Sequence, residues 1–111
     1  MPLEKRDQAL LLDIIQAATE AGGFVAGMSE ENFYKDLKTR KAVEREFEIM
    51  GEAARGLSDA ARDSHPYVPF RSMIGMRNIL AHDYGRVDPK ELWKTVHDSL
   101  PALLSELKKT S

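Results

Sequence analysis

Apolar residues recur along this chain at steps of three and four, and no stretch alternates apolar with polar over the length of a strand. The first stripe, Leu3, Leu10, Ile14, Ala17 or Ala18 and Ala21, with Leu11 and Ile15 at its sides, predicts a helix that stops at Gly22-Gly23. Ser29, followed by Glu30 and Glu31, is an N-cap with acids in the first turn; it opens a shorter helix carrying Phe33, Tyr34 and Leu37 that ends near Leu37 or Lys38. Thr39 is placed to cap the next helix, whose seam of Val43, Phe47, Met50, Ala54 and Leu57 is the most regular in the chain. Ser58 caps one more short turn, and His65-Pro66-Tyr67-Val68-Pro69 is an extended connector, because a residue before proline avoids the α region. Helix resumes from Phe70 to about Ala81 and ends between His82 and Gly85. Asp88-Pro89 supplies a cap and a proline at the first position of a last helix, striped by Leu92 or Trp93, Val96, Leu100, Leu103 or Leu104 and Leu107 and kinked at Pro101.

Four substantial helices with short joints predict an all-α fold, an antiparallel four-helix bundle with the extra short helix and the proline-rich connector as additions. The 111 residues suit a single domain, 1–111, without internal repeat or linker. Lys and Arg total 16 against 18 Asp and Glu, a net charge of -2 that argues against coating nucleic acid by charge alone. The balance is uneven, however. Residues 1–64 hold 9 basic and 13 acidic side chains and residues 65–111 hold 7 and 5, so the positive excess lies in the second half. The lack of cysteine excludes a thiolate nucleophile or a Cys-ligated metal, no two histidines have metal-site spacing, and Gly22-Gly23 is not followed by the Lys-Ser or Lys-Thr of a phosphate loop. No metal and no cofactor is therefore expected. Neither a signal peptide nor a membrane-spanning apolar run is found, so the expected location is the cytoplasm.

The chemistry gathers in the helix that starts at Phe70. On an ideal helix turning about 100° per residue, Phe70, Met73, Ile74, Met76, Leu80 and Ala81 define an apolar arc, and Arg77 falls in its middle. A guanidinium stays charged and is expensive to bury alone. Its stem must pack while its head reaches the rim, or a glutamate from a neighbouring helix must pair with it. Taken singly, His82 suits the carbonyls and dipole of a helix C-terminus, and Tyr84 is a core residue with its hydroxyl at the rim. As a set, Arg77, Asn78, His82, Asp83 and Tyr84 crowd one helix end. Elsewhere, the charged face of the preceding helix, with Arg40, Glu44, Arg45, Glu48, Glu52 and Arg55, has the pattern of a solvated surface. Met28, Met50, Met73 and Met76 suit core filling, and His65 is expected in a surface loop.

Arg77-Asn78-Ile79-Leu80-Ala81-His82-Asp83-Tyr84 resembles the motif of HEPN-domain ribonucleases, an Arg, four residues, a His, one residue and a Tyr. The similarity is closest to the HepT-like toxins that pair with MntA-type nucleotidyltransferase antitoxins. Ile49-Met50-Gly51-Glu52-Ala53-Ala54, the His65-Pro66 and Val68-Pro69-Phe70 connector, Ile74-Gly75-Met76-Arg77-Asn78 and the Leu92-Trp93 to Leu100-Pro101 helix resemble that family in order and spacing, so the likeness covers nearly the whole chain. Phe70 departs from the tryptophan common after that proline.

The resemblance implies a metal-independent endoribonuclease, the toxin of a type VII-like toxin-antitoxin pair, dimeric, with both motifs facing one cleft. It also implies that Tyr84 is the residue AMPylated by the partner nucleotidyltransferase antitoxin. The alternative is a non-catalytic HEPN module that binds a nucleotidyltransferase and assists nucleotide or substrate binding. The residue types suit RNA cleavage: the His82 imidazole can accept or donate a proton, and Arg77 can clamp the scissile phosphate. Asn78 would orient phosphate or ribose, Asp83 would hold the histidine tautomer, and Arg71, Arg86 and Lys90, with Lys94, would add cations for RNA. Arg77 and His82 are five residues apart, about 140° around an ideal helix. They converge only if the helix unwinds near His82 or if a second subunit completes the site.

Overall fold

The computed structural model describes residues 4–82 and 87–109, and among them every regular element is helical. Helix α1 spans Lys5–Phe24, α2 Glu30–Lys35, α3 Leu37–Gly56, α4 Asp59–Asp63, α5 Phe70–His82, α6 Pro89–Lys94 and α7 Leu100–Lys108, with a π-helical turn at Thr95–Ser99 joining α6 to α7. The four long bodies of the expected bundle are α1, α3, α5 and the composite of α6, the π turn and α7.

The caps explain where several elements begin. Ser29 accepts from the Asn32 N–H to open α2, Ser58 from that of Ala61 to open α4, and Asp88 from that of Lys90 to open α6 with Pro89 at its first position. At α3 the cap is Asp36 rather than the expected Thr39: its carboxylate accepts from the Thr39 N–H at 3.0 Å and from the Thr39 hydroxyl at 2.8 Å. A carboxylate three residues upstream meets the free N–H groups better than a threonine already inside the first turn, and it ends α2 at Lys35, earlier than expected. Likewise α1 runs through the glycine pair to Phe24; the reversal falls at Gly27, whose φ of 77° is the left-handed conformation glycine tolerates. Pro101 takes effect one turn upstream of itself. With no N–H of its own and a ring that crowds the carbonyl four residues back, it is preceded by a turn in which Leu100 N–H bonds the Thr95 carbonyl. That wider turn keeps Leu92, Val96, Leu100, Leu103 and Leu107 all buried.

Helix α3 is the hub, packed heavily against α1 on one side and α5 on the other, while the π turn and α7 cover α1. Ile14, Ala17, Ala18 and Ala21 of α1 meet Val43, Phe47, Met50 and Ala54 of α3 in one apolar core. Trp93 stacks on Phe33 with ring centroids 5.4 Å apart, seating α2 against α6. In the connector before α5, His65 is buried rather than in the surface loop expected of it. Val68 N–H bonds the His65 carbonyl at 3.1 Å, and this turn tucks His65 (1% exposed) and Val68 inward while Tyr67 points out. The two prolines fix the extended segments around that turn, so the intervening side chains must divide between core and solvent.

Two contacts tie α1 to the rest of the bundle through polar groups, one at the Ser58 cap of α4 and one on α3. Buried Asp7 accepts from the Ser58 N–H at 2.9 Å and from its hydroxyl at 2.7 Å, and these bonds hold its carboxyl below the usual aspartate range. Farther along, Glu46, 4% exposed, shares a hydrogen bond with Glu20. Burial first, then the hydrogen bond and charge of Glu20, push Glu46 up to about 7, while the bond from Glu46 holds Glu20 below its usual value. A raised folded-state pKa means that the folded chain keeps a proton the unfolded chain loses above its usual 4.5, so this pair stabilises in acid and loses that contribution as pH rises through 7. Asp7 and Asp36, held low, act in the opposite sense and in a lower window. The melting temperature should therefore fall between pH 5 and 8, and Glu46→Gln should flatten most of that fall; an unchanged slope in the variant would assign the fall to other groups.

Candidate functional site

The charged stripe of α3 is the floor of a groove of about 610 Å³. Arg45, Glu48, Glu52 and Arg55 face it from α3, Arg6, Leu10 and Asp13 form the α1 wall, and Arg77 of α5 closes the other side. A solvated face was expected of these α3 residues, and Arg45, Glu52 and Arg55 are exposed; their place between α1 and α5 makes that solvated face a polar depression.

Arg77 reaches the groove because α3 has no side chain at the crossing point. A Cβ at Gly51 would overlap the Arg77 Cβ and lie 2.6 Å from the Met73 carbonyl oxygen, so any larger residue must push α5 away. With its stem on Gly51, the Arg77 side chain is 23% exposed, and its head resolves the problem of a charge on an apolar arc by pairing. Its Nε lies 3.0 Å from Glu52 Oε2, and its Nη1 donates to Asn78 Oδ1 at 3.1 Å. The ion pair with Glu52 and the one hydrogen bond to Asn78 leave other guanidinium N–H groups for an anion in the groove.

Asn78 is thus brought to Arg77, exposed and in contact with it. His82 is also exposed, and α5 is helical through His82, so no unwinding before that residue turns it toward Arg77. Asp83, Tyr84 and Arg86 lie outside the described residues. Arg71 on α5 and Lys90 on α6 are exposed but do not line the groove. Among the described residues no cluster of three or more His, Cys, Asp or Glu is arranged to hold a metal, and no helix is long and apolar enough to cross a membrane.

Glu52, Arg6, Arg45 and Arg55 escaped the sequence reading. For Glu52 there was a signal: it directly follows Gly51 in α3, and a glutamate from a neighbouring helix was one of the two ways to accommodate a charged arginine on an apolar arc. Arg6 and Arg55 carried none, because alternating charges on a helix face look the same whether they border solvent or a groove.

The family described as "Ribonuclease HepT-like" matches residues 14–110. A protein of Methanocaldococcus jannaschii named as an RNase is 37% identical over 106 residues, covering 95% of this chain and 97% of the relative. One of Thermococcus cleftensis named as a ribonuclease HepT is 36% identical over 107 residues, covering 96% and 97%. Another, from Caldanaerobacter subterraneus subsp. tengcongensis and also named as an RNase, is 37% identical over 84 residues, 76% of this chain and 75% of the relative. No solved structure matches the chain at a significant level. With a family match over most of its length and relatives of more than 30% identity along nearly all of it, the chain belongs to the HepT-like ribonuclease family.

Proposed function

We propose that this protein is an endoribonuclease toxin that cuts RNA at a site built from Arg77 and His82, silenced by a nucleotidyltransferase antitoxin that AMPylates it. The observation that carries the reading is Arg77, seated on Gly51 in an open groove with its guanidinium paired with Glu52 and bonded to Asn78.

In the proposed reaction a neutral His82 takes the proton of a ribose 2'-hydroxyl, and that oxygen attacks the adjacent phosphorus. Negative charge builds on the phosphorane oxygens, where Arg77 offers a permanently charged planar donor array. The P–O5' bond then breaks, and a protonated histidine returns a proton to the departing 5'-oxygen, leaving a 2',3'-cyclic phosphate and a 5'-hydroxyl. Asn78 orients the guanidinium or the ribose, and Asp83 holds the histidine tautomer. Arg71, Arg86 and Lys90 are assigned to the flanking RNA phosphates.

Arg77 is turned toward α3, and His82 follows it on the same continuous helix, which supports a homodimer in which Arg77 of one protomer works with His82 of its partner. Mixing Arg77→Ala with His82→Ala protein should recover roughly a quarter to a half of wild-type activity through the one intact mixed site, whereas either variant alone loses at least about 100-fold. No recovery in a verified heterodimer would argue that both groups act from one chain.

Silencing is assigned to Tyr84, beside His82 in sequence: an attached AMP adds bulk and negative charge where RNA phosphate must enter. Incubation with the partner nucleotidyltransferase and ATP should add the mass of AMP to wild type but not to Tyr84→Phe. The same mass gain on the variant would move the modification elsewhere.

A further inference from the structure

We propose that Glu52 is a positioning residue for the RNA-cleaving reaction, holding the Arg77 guanidinium by its Nε edge so that the remaining N–H groups face the groove. The proposal rests on the ribonuclease reading above. Two consecutive residues of α3 divide the task. Gly51 lets the Arg77 stem touch the α3 backbone, and Glu52, the next residue, meets the head at 3.0 Å. Neither residue alone fixes the group: the stem contact leaves the terminal torsions free, and the groove of about 610 Å³ has no wall that would stop the head from turning.

The other carboxylates of the groove do not substitute for it. Glu48 pairs with Arg45 at 3.5 Å, and Asp13 stands on the α1 wall. Nor is fold stability a sufficient reason for the pair, because Glu52 is 60% exposed and an ion pair so open to water contributes little. What the contact does supply is orientation. With Nε turned to Glu52 and one Nη1 proton to Asn78 Oδ1, the guanidinium plane is fixed from two sides before any phosphate arrives. A donor array aligned in advance acts on the charge that develops in the transition state without reorganising at that moment.

The test compares Glu52→Ala with Glu52→Gln, which keeps an oxygen acceptor for Nε. Glu52→Ala should lower kcat by about 10- to 100-fold with KM for RNA within about threefold, and Glu52→Gln should recover most of the loss. The thermal transition should stay near that of wild type in both. A spectroscopic reading accompanies the kinetics: the Arg77 Nε–H resonance should be shifted and protected from solvent exchange in wild type and in Glu52→Gln, and should lose that protection in Glu52→Ala. Wild-type turnover in Glu52→Ala would overturn the proposal. So would equal losses in both variants accompanied by lowered melting, which marks a structural role. Faster cleavage or tighter RNA binding by Glu52→Ala would overturn it too, by showing that the carboxylate competes with phosphate. If wild type cuts no RNA at all, the ribonuclease reading fails, and the Nε–H signal still decides whether Glu52 holds the guanidinium.

Discussion

The close approach of α5 to α3 at Gly51 is the contact on which the site depends. A side chain at that position would run into the stem of Arg77 and the Met73 carbonyl, so the absence of one sets how near the two backbones come. That nearness lets an arginine lie in the middle of an apolar arc, its methylenes against backbone and its charge delivered to the groove. The same crossing brings the next residue, Glu52, within reach of the guanidinium. One missing Cβ thus shapes both the packing of α5 and the electrostatics of its only inward-facing cation.

Helix α3 serves two surfaces at once. Its seam of Val43, Phe47, Met50 and Ala54 is buried in the core shared with α1, and its charged stripe lines the groove between α1 and α5. The rigid side holds the functional side in register. Glu20 with Glu46 ties α1 to that helix, and Asp7 on Ser58 ties the start of α1 to the cap of α4 just beyond its end. By contrast α5 leans principally on α3 and keeps Arg71, Asn78, Ile79 and His82 exposed. On the proposed homodimer reading, this open face of α5 is where the second copy of the chain would sit.

The helical architecture and its main buried stripes were legible because they depend on apolar spacing, which core packing preserves. Caps were legible where one polar residue stood alone before an apolar run, as at Ser29, Ser58 and Asp88. The start of α3 was not, since Asp36 and Thr39 both fit and only the geometry of the free N–H groups chooses between them. His65 was placed outside because local sequence cannot say which way a turn between two prolines faces. Within the site, Arg77 stood out because its charge conflicted with its position, and that conflict left open whether its head reached the rim alone or met a glutamate; the structure shows it paired with Glu52. The rest of the groove was hidden, because it is made by three helices meeting and no single helix shows it.

The formal charge of -2 suggested a poor partner for RNA, and the structure narrows what that sum means. Acidic groups on the groove floor are taken up by arginines, Glu48 with Arg45 and Glu52 with Arg77, so cationic donors remain available where the total is negative. Whether those donors serve RNA cleavage is read most directly from the ends of the product. RNA cut by the purified protein in the presence of a chelator should carry 2',3'-cyclic phosphate and 5'-hydroxyl termini, and Arg77→Ala should leave the same RNA intact. Termini of 3'-hydroxyl and 5'-phosphate, or cleavage that persists in Arg77→Ala, would contradict the account.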